Sequence, residues 1–348
     1  MNDNKLSVPD NLPVEDARVG ELAVKIHGLV QSAKVKVARE INSAMVNTYW
    51  EIGRHIVEFE QNGNPTANYG SSLLKELAKQ LTARLGSGYS RPNLNRMRQF
   101  YLTYPICSTP SNKLSWSHIC ELLTIEDDLE RQFYEKACIS ERWSVRDFKR
   151  QKESGLFLRL AASRDKEGIM KLAGAGLTYD NPEDIVKDTY TLEFLGIPAK
   201  ERYSEKDLES ALIANLTKFL LELGKGFTFQ ARQYPIVINN EHYYIDLVFY
   251  HKKLHCPVLI DLKIGAVKHK DIGQMNMYMG YFAKEELEPG DNPPIGIILS
   301  REKDELMVEY ATYGMDQNLF VSKYELYLPD KDQLRALIAE TLSKQTND

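Results

Sequence analysis

With 348 residues, of which 43% are hydrophobic and 27% charged, the chain has the composition of a globular protein and room for two domains. No apolar run approaches the roughly 20 residues of a membrane helix, the polar N-terminus predicts no secretory leader, and the four widely spaced cysteines exclude a disulfide scaffold or zinc site. We therefore expect a cytoplasmic protein with no membrane partner. The net charge of −5 is uneven, because 12 Lys and Arg stand against 8 Asp and Glu between Arg84 and Lys152.

The first predicted element is a long helix, since apolar residues recur at spacings of three and four from Val19 to Gln61. A second helix ends near Gly86, and a third begins after Ser90, a typical N-cap residue, with Pro92 in its first turn. Two helices joined by a short glycine turn have the outline of a helix-turn-helix element. The candidate DNA contacts on the third helix are Arg91, Asn95, Arg96 and Arg98.

More helices follow, and the last of them has a predicted basic face. Arg142, Arg146, Lys149 and Arg150 fall at i, i+4, i+7 and i+8, which places the four cations on one side of a helix. Such a face fits DNA phosphates, and it equally fits an ordinary solvated helix surface. Both interpretations stay open from the residues alone.

A domain boundary is predicted near residue 170, where the helical pattern loosens and Gly, Pro and Asn accumulate. We expect an all-helical domain over residues 15–165 and a second domain over residues 170–340. The second domain has a helix capped by Ser204 and ended by Gly224. Three β-rich runs with short turns then predict an antiparallel meander, followed by a helix, a buried strand and an α/β tail. The order of the core elements is αβββαβ.

Two acids interrupt the apolar strands of this predicted meander. Asp246 lies in one run and Asp261 in the next, and Lys263 follows two residues later. A tight turn at Lys253-Leu254 would make the paired residue numbers sum to 507, which sets Asp246 opposite Asp261. Side chains two residues apart share a strand face, so Lys263 projects from the same side as Asp261. The three charges are therefore expected to converge on one patch of the sheet.

This arrangement of charges predicts a particular chemistry. Two neighbouring carboxylates repel unless a cation lies between them, and hard oxygen ligands suit Mg²⁺. A lysine beside such an ion can orient an attacking water and offset the charge of a phosphate, which suits phosphodiester hydrolysis. A lone D-x-K triplet is usually a surface ion pair, and only its position opposite Asp246 favours the catalytic interpretation.

Three further polar residues can join the site by periodicity. Glu209 stands at the end of the apolar stripe of the helix after Ser204, and Gln274 and Tyr278 are one turn apart on the helix after the meander. Taken singly, Glu209 fits a helix-surface acid, and the other two fit packing residues. We treat all three as candidate catalytic residues because the order of the elements brings them to one sheet.

The motifs and their order resemble the PD-(D/E)XK nuclease superfamily. More narrowly, "YSRPNLNRMRQFYLTYP", "LSWSHICELL" and "RWSVRDFKRQ" in the first half and "YYIDLVFYHKKLHCPVLIDLKIG" in the second resemble the YhcG-like family of bacterial PD-(D/E)XK proteins, over about residues 20–330. The resemblance implies an α+β multidomain fold. An all-α N-terminal domain with a helix-turn-helix-like element would precede a restriction-endonuclease-like α/β domain.

The resemblance also implies a metal site. Asp246 and Asp261 would hold Mg²⁺, for which Mn²⁺ would substitute, with the Leu262 carbonyl and Glu209 as further ligands. The family's usual triplet is E-L-K, whereas this chain has D-L-K. The shorter aspartate at position 261 withdraws the carboxylate by one methylene, which affects metal affinity more than the fold.

By the same resemblance, Lys263 would be the catalytic lysine, and Gln274 and Tyr278 would match the Q-x-x-x-Y helix of some nuclease branches. Ile245 stands where a proline often precedes the first acid of the motif.

We therefore expect a Mg²⁺-dependent DNA endonuclease whose N-terminal domain binds DNA or a partner. The alternative is a nuclease fold with weak or no turnover that acts as a DNA-binding or regulatory module in a restriction, defence or repair assembly. The aspartate in the D-L-K triplet motivates that alternative. DNA is the expected partner, and a second copy of the chain and subunits of a restriction or defence system are further candidates.

Overall fold

A computed structural model gives the fold. The residues that it describes are 14–62, 67–105, 113–198, 203–315 and 317–343. Contacts divide the chain into two compact units, Met1–Thr124 and Ile125–Asp348. This division lies before residue 170, where the sequence predicts a domain boundary, because the helices that follow Ile125 cluster with the second unit.

The first unit is helical throughout its described part: α1 (Val14–Asn62), α2 (Ala67–Leu85), α3 (Arg91–Thr103) and α4 (Trp116–Leu122). A single 3-10 turn at Ser87–Tyr89 joins α2 to α3, which gives the predicted helix-turn-helix outline. Gly53 allows α1 to cross α3 closely, since a Cβ there would lie 2.0 Å from the Met97 carbonyl oxygen. Ile56 and Leu94 pack in the core of this unit.

The helices that the structure describes in the second unit are α5 (Asp128–Glu141), α6 (Val145–Glu153), α7 (Leu156–Ala162), α8 (Lys166–Ala175), α9 (Pro182–Ile185), α10 (Glu205–Ala214), α11 (Leu216–Leu223), α12 (His269–Tyr281), α13 (Glu305–Thr312) and α14 (Lys331–Ser343). The helix predicted between Ser204 and Gly224 is broken at Asn215, which separates α10 from α11. Its ends are as predicted. Ser204 Oγ accepts the backbone N–H of Asp207, and Gly224 ends α11 with a φ of 115°.

The strands of the described second unit form one sheet: β1 (Thr189–Thr191), β2 (Phe227–Ile238), β3 (Glu241–His251), β4 (Cys256–Ala266), β5 (Ile295–Glu302) and β6 (Leu319–Glu325). Their spatial order is β1-β6-β5-β4-β3-β2. β2, β3 and β4 form the predicted antiparallel meander, while β4, β5, β6 and β1 run parallel. Asn239 and Asn240, both left-handed, make the predicted two-residue turn between β2 and β3. The order of the core is thus αβββαβ.

Helices cover both faces of this sheet. On one face, Leu212 of α10 and Phe219 of α11 pack in one cluster with Phe249 of β3. On the other face, Met275 of α12 packs in a cluster with Leu259 of β4. All five side chains are fully buried, as expected for strands covered on both sides.

A buried ion network ties the earlier helices to α11. Glu222 Oε1 lies 2.9 Å from Arg159 and 3.6 Å from Lys187, and Glu222 Oε2 lies 3.3 Å from Arg150. Burial alone would raise the pKa of Glu222, but the three cations outweigh it and lower that pKa to about 2. The Lys187 pKa does not rise in return, because burial, together with the two arginines, outweighs Glu222 and lowers it to about 8. The network explains why the segment after Ile125 belongs to the second unit.

Cys120, Cys138 and Cys256 are free, and Cys107 lies outside the described residues. Burial raises the pKa of Cys138 to about 12 and that of Cys256 to about 11, which keeps these two thiols protonated. Among the helices described, none is long and apolar enough to cross a bilayer.

Candidate active site

Asp246 and Asp261 meet where β3 and β4 separate. The paired residues of the two strands keep the predicted sum of 507. The turn itself is wider than predicted, because it spans Lys252–His255 in place of two residues. The strand pairing ends at Leu247, and beyond it the Asp246 Oδ2 atom accepts the backbone N–H of Leu262 at 2.8 Å. The Asp246 carboxylate therefore replaces a backbone acceptor at the point where the ladder stops.

Asp261 is a buried carboxyl with charged neighbours. Only 3% of the residue is exposed. Burial raises the pKa of Asp261 to about 7; Asp246 adds to the rise, and Lys263 opposes it. The Asp261 Oδ2 atom lies 2.7 Å from Lys263 Nζ, yet it receives no hydrogen bond of acceptable geometry. Near neutral pH this carboxyl is divided between its protonated and ionised forms, and a nearby cation would favour the ionised form.

Lys263 supplies the ammonium group of the site. Its Nζ atom also lies 3.8 Å from Glu205 of α10. Burial favours the neutral amine, but Asp261, Glu205 and Asp246 outweigh burial and raise the pKa of Lys263. The side chain therefore stays protonated. In that form it can orient or neutralise an oxygen atom, and it cannot accept a proton.

Glu209 reaches the same site through Gln233, a residue that the sequence analysis missed. The Gln233 amide nitrogen donates to Glu209 Oε2 at 2.8 Å and to Asp246 Oδ1 at 2.9 Å. Arg232 Nε lies 3.3 Å from Glu209 Oε1. Burial raises the pKa of Glu209 in spite of Arg232, and Asp246 adds to that rise. Glu209 is thus held beside Asp246 by a neutral bridge.

The backbone at Gln233 is unusual as well. Its φ is 47°, a left-handed conformation inside a strand, which is uncommon for a residue other than glycine and is typical of strained functional positions. The alternation of β2 changes here, because Ala231 and Tyr234 pack on the same face although they are three residues apart. That change of alternation is the one signal in the sequence that could have indicated the irregularity.

Gln274 and Tyr278 lie together on α12, as predicted, but the tyrosine hydroxyl is engaged with the backbone. It donates to the Tyr244 carbonyl oxygen at 3.1 Å and accepts a hydrogen bond from Gln274 Nε2. Tyr278 is fully buried. Because Tyr244 is two residues before Asp246, the pair fixes β3 next to the site. In this structure the phenol of Tyr278, a candidate catalytic residue, is therefore used to hold the backbone of β3.

The candidate DNA contacts on α3 differ in their surroundings. Arg91 and Arg96 are exposed, and Asn95 is half-buried. Arg98 Nε donates to Glu60 Oε2 of α1 at 2.7 Å. The charge of Arg98 is therefore balanced within the unit, where the residue holds α1 against α3.

The predicted basic face from Arg142 to Arg150 is not continuous, and that prediction was wrong. Arg142 ends α5 in a left-handed conformation, with a φ of 56°, and a new helix starts only after the Ser144 cap. Arg150 points inward to Glu222 in the buried ion network. The two cations that remain exposed on α6 are Arg146 and Lys149.

The oxygen atoms of the site fit a hard divalent cation. Over the residues that the structure describes, no group of three or more His, Cys, Asp or Glu side chains has the spacing of a metal site. Mg²⁺, however, takes only one or two carboxylates and keeps several waters. Asp246 and Asp261 with the Leu262 carbonyl provide such a donor set. Asp261 Oδ2 and Glu209 Oε1 are buried oxygens that lie beside Lys263 Nζ and Arg232 Nε without a well-aligned hydrogen bond, so each keeps a lone pair for a metal ion.

Known proteins are similar to this chain over both units. Residues 183–339 match the model of the YhcG PDDEXK nuclease domain, and residues 25–159 match the DUF1016 N-terminal domain. A protein of Escherichia coli (strain K12) named "Putative nuclease YhcG" is 36% identical over 346 residues, which cover 90% of this chain and 92% of that protein.

Two solved structures share a smaller part. A crystal structure of a repair endonuclease from Pyrococcus abyssi is 20% identical over 36% of this chain and 50% of its own, with a TM-score of 0.26. EndoMS in its apo form is 15% identical over 37% of this chain and 48% of its own, also with a TM-score of 0.26. The sequence relationship over nine-tenths of the chain is sufficient, and the chain therefore belongs to the YhcG family, with a DUF1016 N-terminal domain before a PD-(D/E)XK nuclease domain.

Proposed function

We propose that this chain is a metal-dependent endonuclease that hydrolyses phosphodiester bonds of DNA, with its site at Asp246, Asp261 and Lys263. The observation that carries the proposal is the convergence of two carboxylates and a protonated lysine at the point where β3 and β4 separate. Buried like charges are costly for a fold, and such clusters concentrate at functional sites. Membership of a nuclease family supports the same reaction class.

Asp246, Asp261 and the Leu262 carbonyl would hold the metal, with Mg²⁺ as the proposed ion and Mn²⁺ as a substitute. When bound, the ion supplies Lewis-acid polarisation of the phosphate and a lower pKa for water. Glu209 is the proposed further ligand. Its Oε1 atom would serve, because the Oε2 atom accepts a hydrogen bond from Gln233.

Lys263 would act as an ammonium group. Its raised pKa keeps the charge that can orient water for in-line attack on phosphorus and offset the charge that develops on the phosphate oxygens. Cleavage would leave a 3′-hydroxyl and a 5′-phosphate. Gln274 and Tyr278 would act as positioning residues, since they hold the Tyr244 carbonyl beside the site.

The first unit and α6 would bind DNA. Arg91, Asn95 and Arg96 on α3 are the proposed contacts in the first unit, and Arg146 and Lys149 on α6 are those in the second. Exposed Arg and Lys neutralise phosphates, so binding should weaken as salt rises. Arg98 and Arg150 are left out of this proposal because Glu60 and Glu222 engage them.

The experiment is cleavage of plasmid and oligonucleotide DNA by the wild type and Lys263→Ala with Mg²⁺, Mn²⁺ or EDTA. We expect metal-dependent cutting by the wild type and a loss of about three orders of magnitude in Lys263→Ala, with folding and DNA binding kept. Lys303→Ala is the matched control, because Lys303 pairs with Asp188 at the surface. Undiminished cutting by Lys263→Ala would refute the assignment.

A second candidate function is a DNA-binding or regulatory module without turnover, in a restriction, defence or repair assembly. It is favoured by the short side chain at position 261, which pairs with Lys263 at 2.7 Å. Salt-dependent DNA binding by the wild type with no cutting in either metal would support it. In that case Asp261→Glu, which restores the longer acid of the family triplet, is the variant to assay for a gain of cleavage.

A further inference from the structure

The first part of α1 projects from its unit without internal support. Every residue from Val19 to Ile41 is exposed, whereas Val46, Ile56 and Val57 farther along the same helix are buried. Most of the stability of a helix in a protein comes from the packing of an apolar face, and the β-branched residues of this segment have lower helix propensity than alanine or leucine. Such a helix needs a packing partner to persist.

One face of this segment is an unbroken apolar stripe, the α1 stripe. It consists of Leu22, Ile26, Val30, Ala33, Val37 and Ile41. Spacings of four, four, three, four and four residues follow an 11-residue repeat, close enough to the helix period to keep all six on one side over about 30 Å. The five larger side chains are between 47% and 60% exposed.

The α1 stripe is separate from the face that α1 uses inside its own unit. Val46, Gly53 and Val57, which face the core, stand roughly opposite the stripe at 100° per residue, and so do Val24 and Val35. Beyond Ala44 the stripe direction carries polar residues such as Thr48 and His55. The stripe is therefore a second apolar surface on a helix that has already buried its first.

The order of side chains along the stripe fits a second copy of the chain. When the direction is reversed about the midpoint between Ala33 and Lys34, Ile26 comes opposite Ile41, and Val30 comes opposite Val37. Leu22 then comes opposite Met45, the residue next to Ala44. An interface with two-fold symmetry requires such self-complementarity, because the same patch serves both subunits.

Charge pairing and the area that would be buried also favour a second copy of the chain as the partner. In the same register, Lys25 of one copy stands opposite Asn42 of the other, two residues or about 3 Å along the axis from Glu40, and this arrangement occurs twice. Burial of about 70 Å² from each of the six side chains, over two copies, removes on the order of 800 Å² of apolar surface. The aliphatic stems of the flanking charged side chains add to this area. They bring the total surface buried by the pair near the lower limit of stable interfaces, about 1,200 Å².

We propose that two copies of this chain associate through the α1 stripe as an antiparallel helix pair centred near Ala33. This inference does not rest on the proposed function. It assigns the α1 stripe to self-association and leaves the charged side chains of α3 to other partners.

The test is the mass of the full chain by light scattering and sedimentation at about 1–50 μM. We expect a dimer for the wild type, and a monomer for Val30→Glu/Val37→Glu, which brings four carboxylates into the interface and raises the dissociation constant at least about 100-fold. Val24→Glu/Val35→Glu is the matched control on the opposite face and should stay dimeric. A monomeric wild type, or a dimer that survives the stripe substitutions or dissociates in the control, would overturn the proposal.

A charge exchange tests the antiparallel register without placing charges in the stripe. Lys25→Glu alone should raise the dissociation constant about three- to tenfold, and Lys25→Glu/Glu40→Lys should restore it. In a parallel pair these residues would lie about 20 Å apart and no rescue would occur, so an absence of rescue refutes the register. Circular dichroism confirms that each variant is folded.

Discussion

Burial of Asp261 favours its neutral form, whereas the proposed metal site requires its charged form. Its carboxyl is buried next to Asp246, and burial raises its pKa to about 7. The folded chain therefore binds more protons than the unfolded chain between about pH 4 and pH 7. The contribution of Asp261 to stability is fully present below pH 4 and is lost as the pH rises through 7.

Asp261→Asn should accordingly stabilise the metal-free protein at pH 8, by about 2–4 kcal/mol, because the amide removes a buried charge. The gain should shrink toward pH 4, where the wild-type carboxyl is protonated. Urea unfolding in EDTA at several pH values measures it. Asp188→Asn, which removes the acid of a surface ion pair with Lys303, is the control and should change the free energy of unfolding little. Equal stability of Asp261→Asn and the wild type at pH 8 would contradict this account.

Gln233 offers a second prediction at this scale. Gln233→Ala removes the bridge between Glu209 and Asp246 and leaves two carboxylates to repel, while the backbone strain remains. We expect cleavage to fall at least about tenfold and the apparent metal affinity to change, with a loss of about 1–2 kcal/mol in stability. Gln230→Ala, at an exposed position on the same strand, is the control. It should leave cleavage, metal affinity and stability unchanged.

The residues of the site differ in how far the sequence could predict them. Asp246, Asp261 and Lys263 follow from period-two alternation and from one register, so their convergence was predictable. Gln233 was much harder to predict, since a left-handed glutamine inside a strand has no residue signature and its one signal is the change of alternation in β2. The inward turn of Arg150 was equally hidden, because helical spacing does not reveal an acid 72 residues away.

Among the elements, the strands were more predictable than the helix boundaries. The pair Asn239-Asn240 predicts the turn between β2 and β3, because asparagine tolerates the left-handed conformation that such hairpins require. The break of α10 from α11 at Asn215 and the end of α5 at Arg142 were missed, since apolar spacing continues through both. Tertiary packing, which the pattern does not contain, decides such breaks.

The ion network between α6, α7 and α11 gives a prediction about elements. Glu222→Gln leaves Arg150, Arg159 and Lys187 without their buried counter-ion and should destabilise the second unit by about 3 kcal/mol at pH 7. The pKa of Glu222 is lowered, so its stabilisation is present above about pH 4.5 and is lost as the pH falls toward 2.

Denaturant unfolding between pH 3 and pH 7, followed by tryptophan emission to which Trp143 contributes from the second unit and Trp50 and Trp116 from the first, checks both statements. Asp332→Asn breaks only an exposed pair with Arg335 and should cost less than about 0.5 kcal/mol. A Glu222→Gln variant as stable as the wild type at pH 7 would mean that the network does not hold these helices.

For the whole molecule, the division into two units predicts a selective effect of metal. Mg²⁺ at 100 times its dissociation constant should stabilise the second unit by about 2.7 kcal/mol, or roughly 5–10 °C for a unit of this size, and leave the first unchanged. Calorimetry with Mg²⁺ or EDTA measures this, and Asp246→Asn should abolish the shift. A shift that persists in Asp246→Asn would place the ion elsewhere.

The buried carboxyl of Asp261 also matters for anyone who engineers this protein. A library screened only for heat resistance would enrich neutral residues at position 261, because each of them relieves the charge that burial disfavours. On the proposed function, the most thermostable clones would then be the ones that have lost cleavage activity. Directed evolution of this chain therefore needs a cleavage screen in every round, and the frequency of Asp261 in the surviving pool reports directly how strongly that screen is acting.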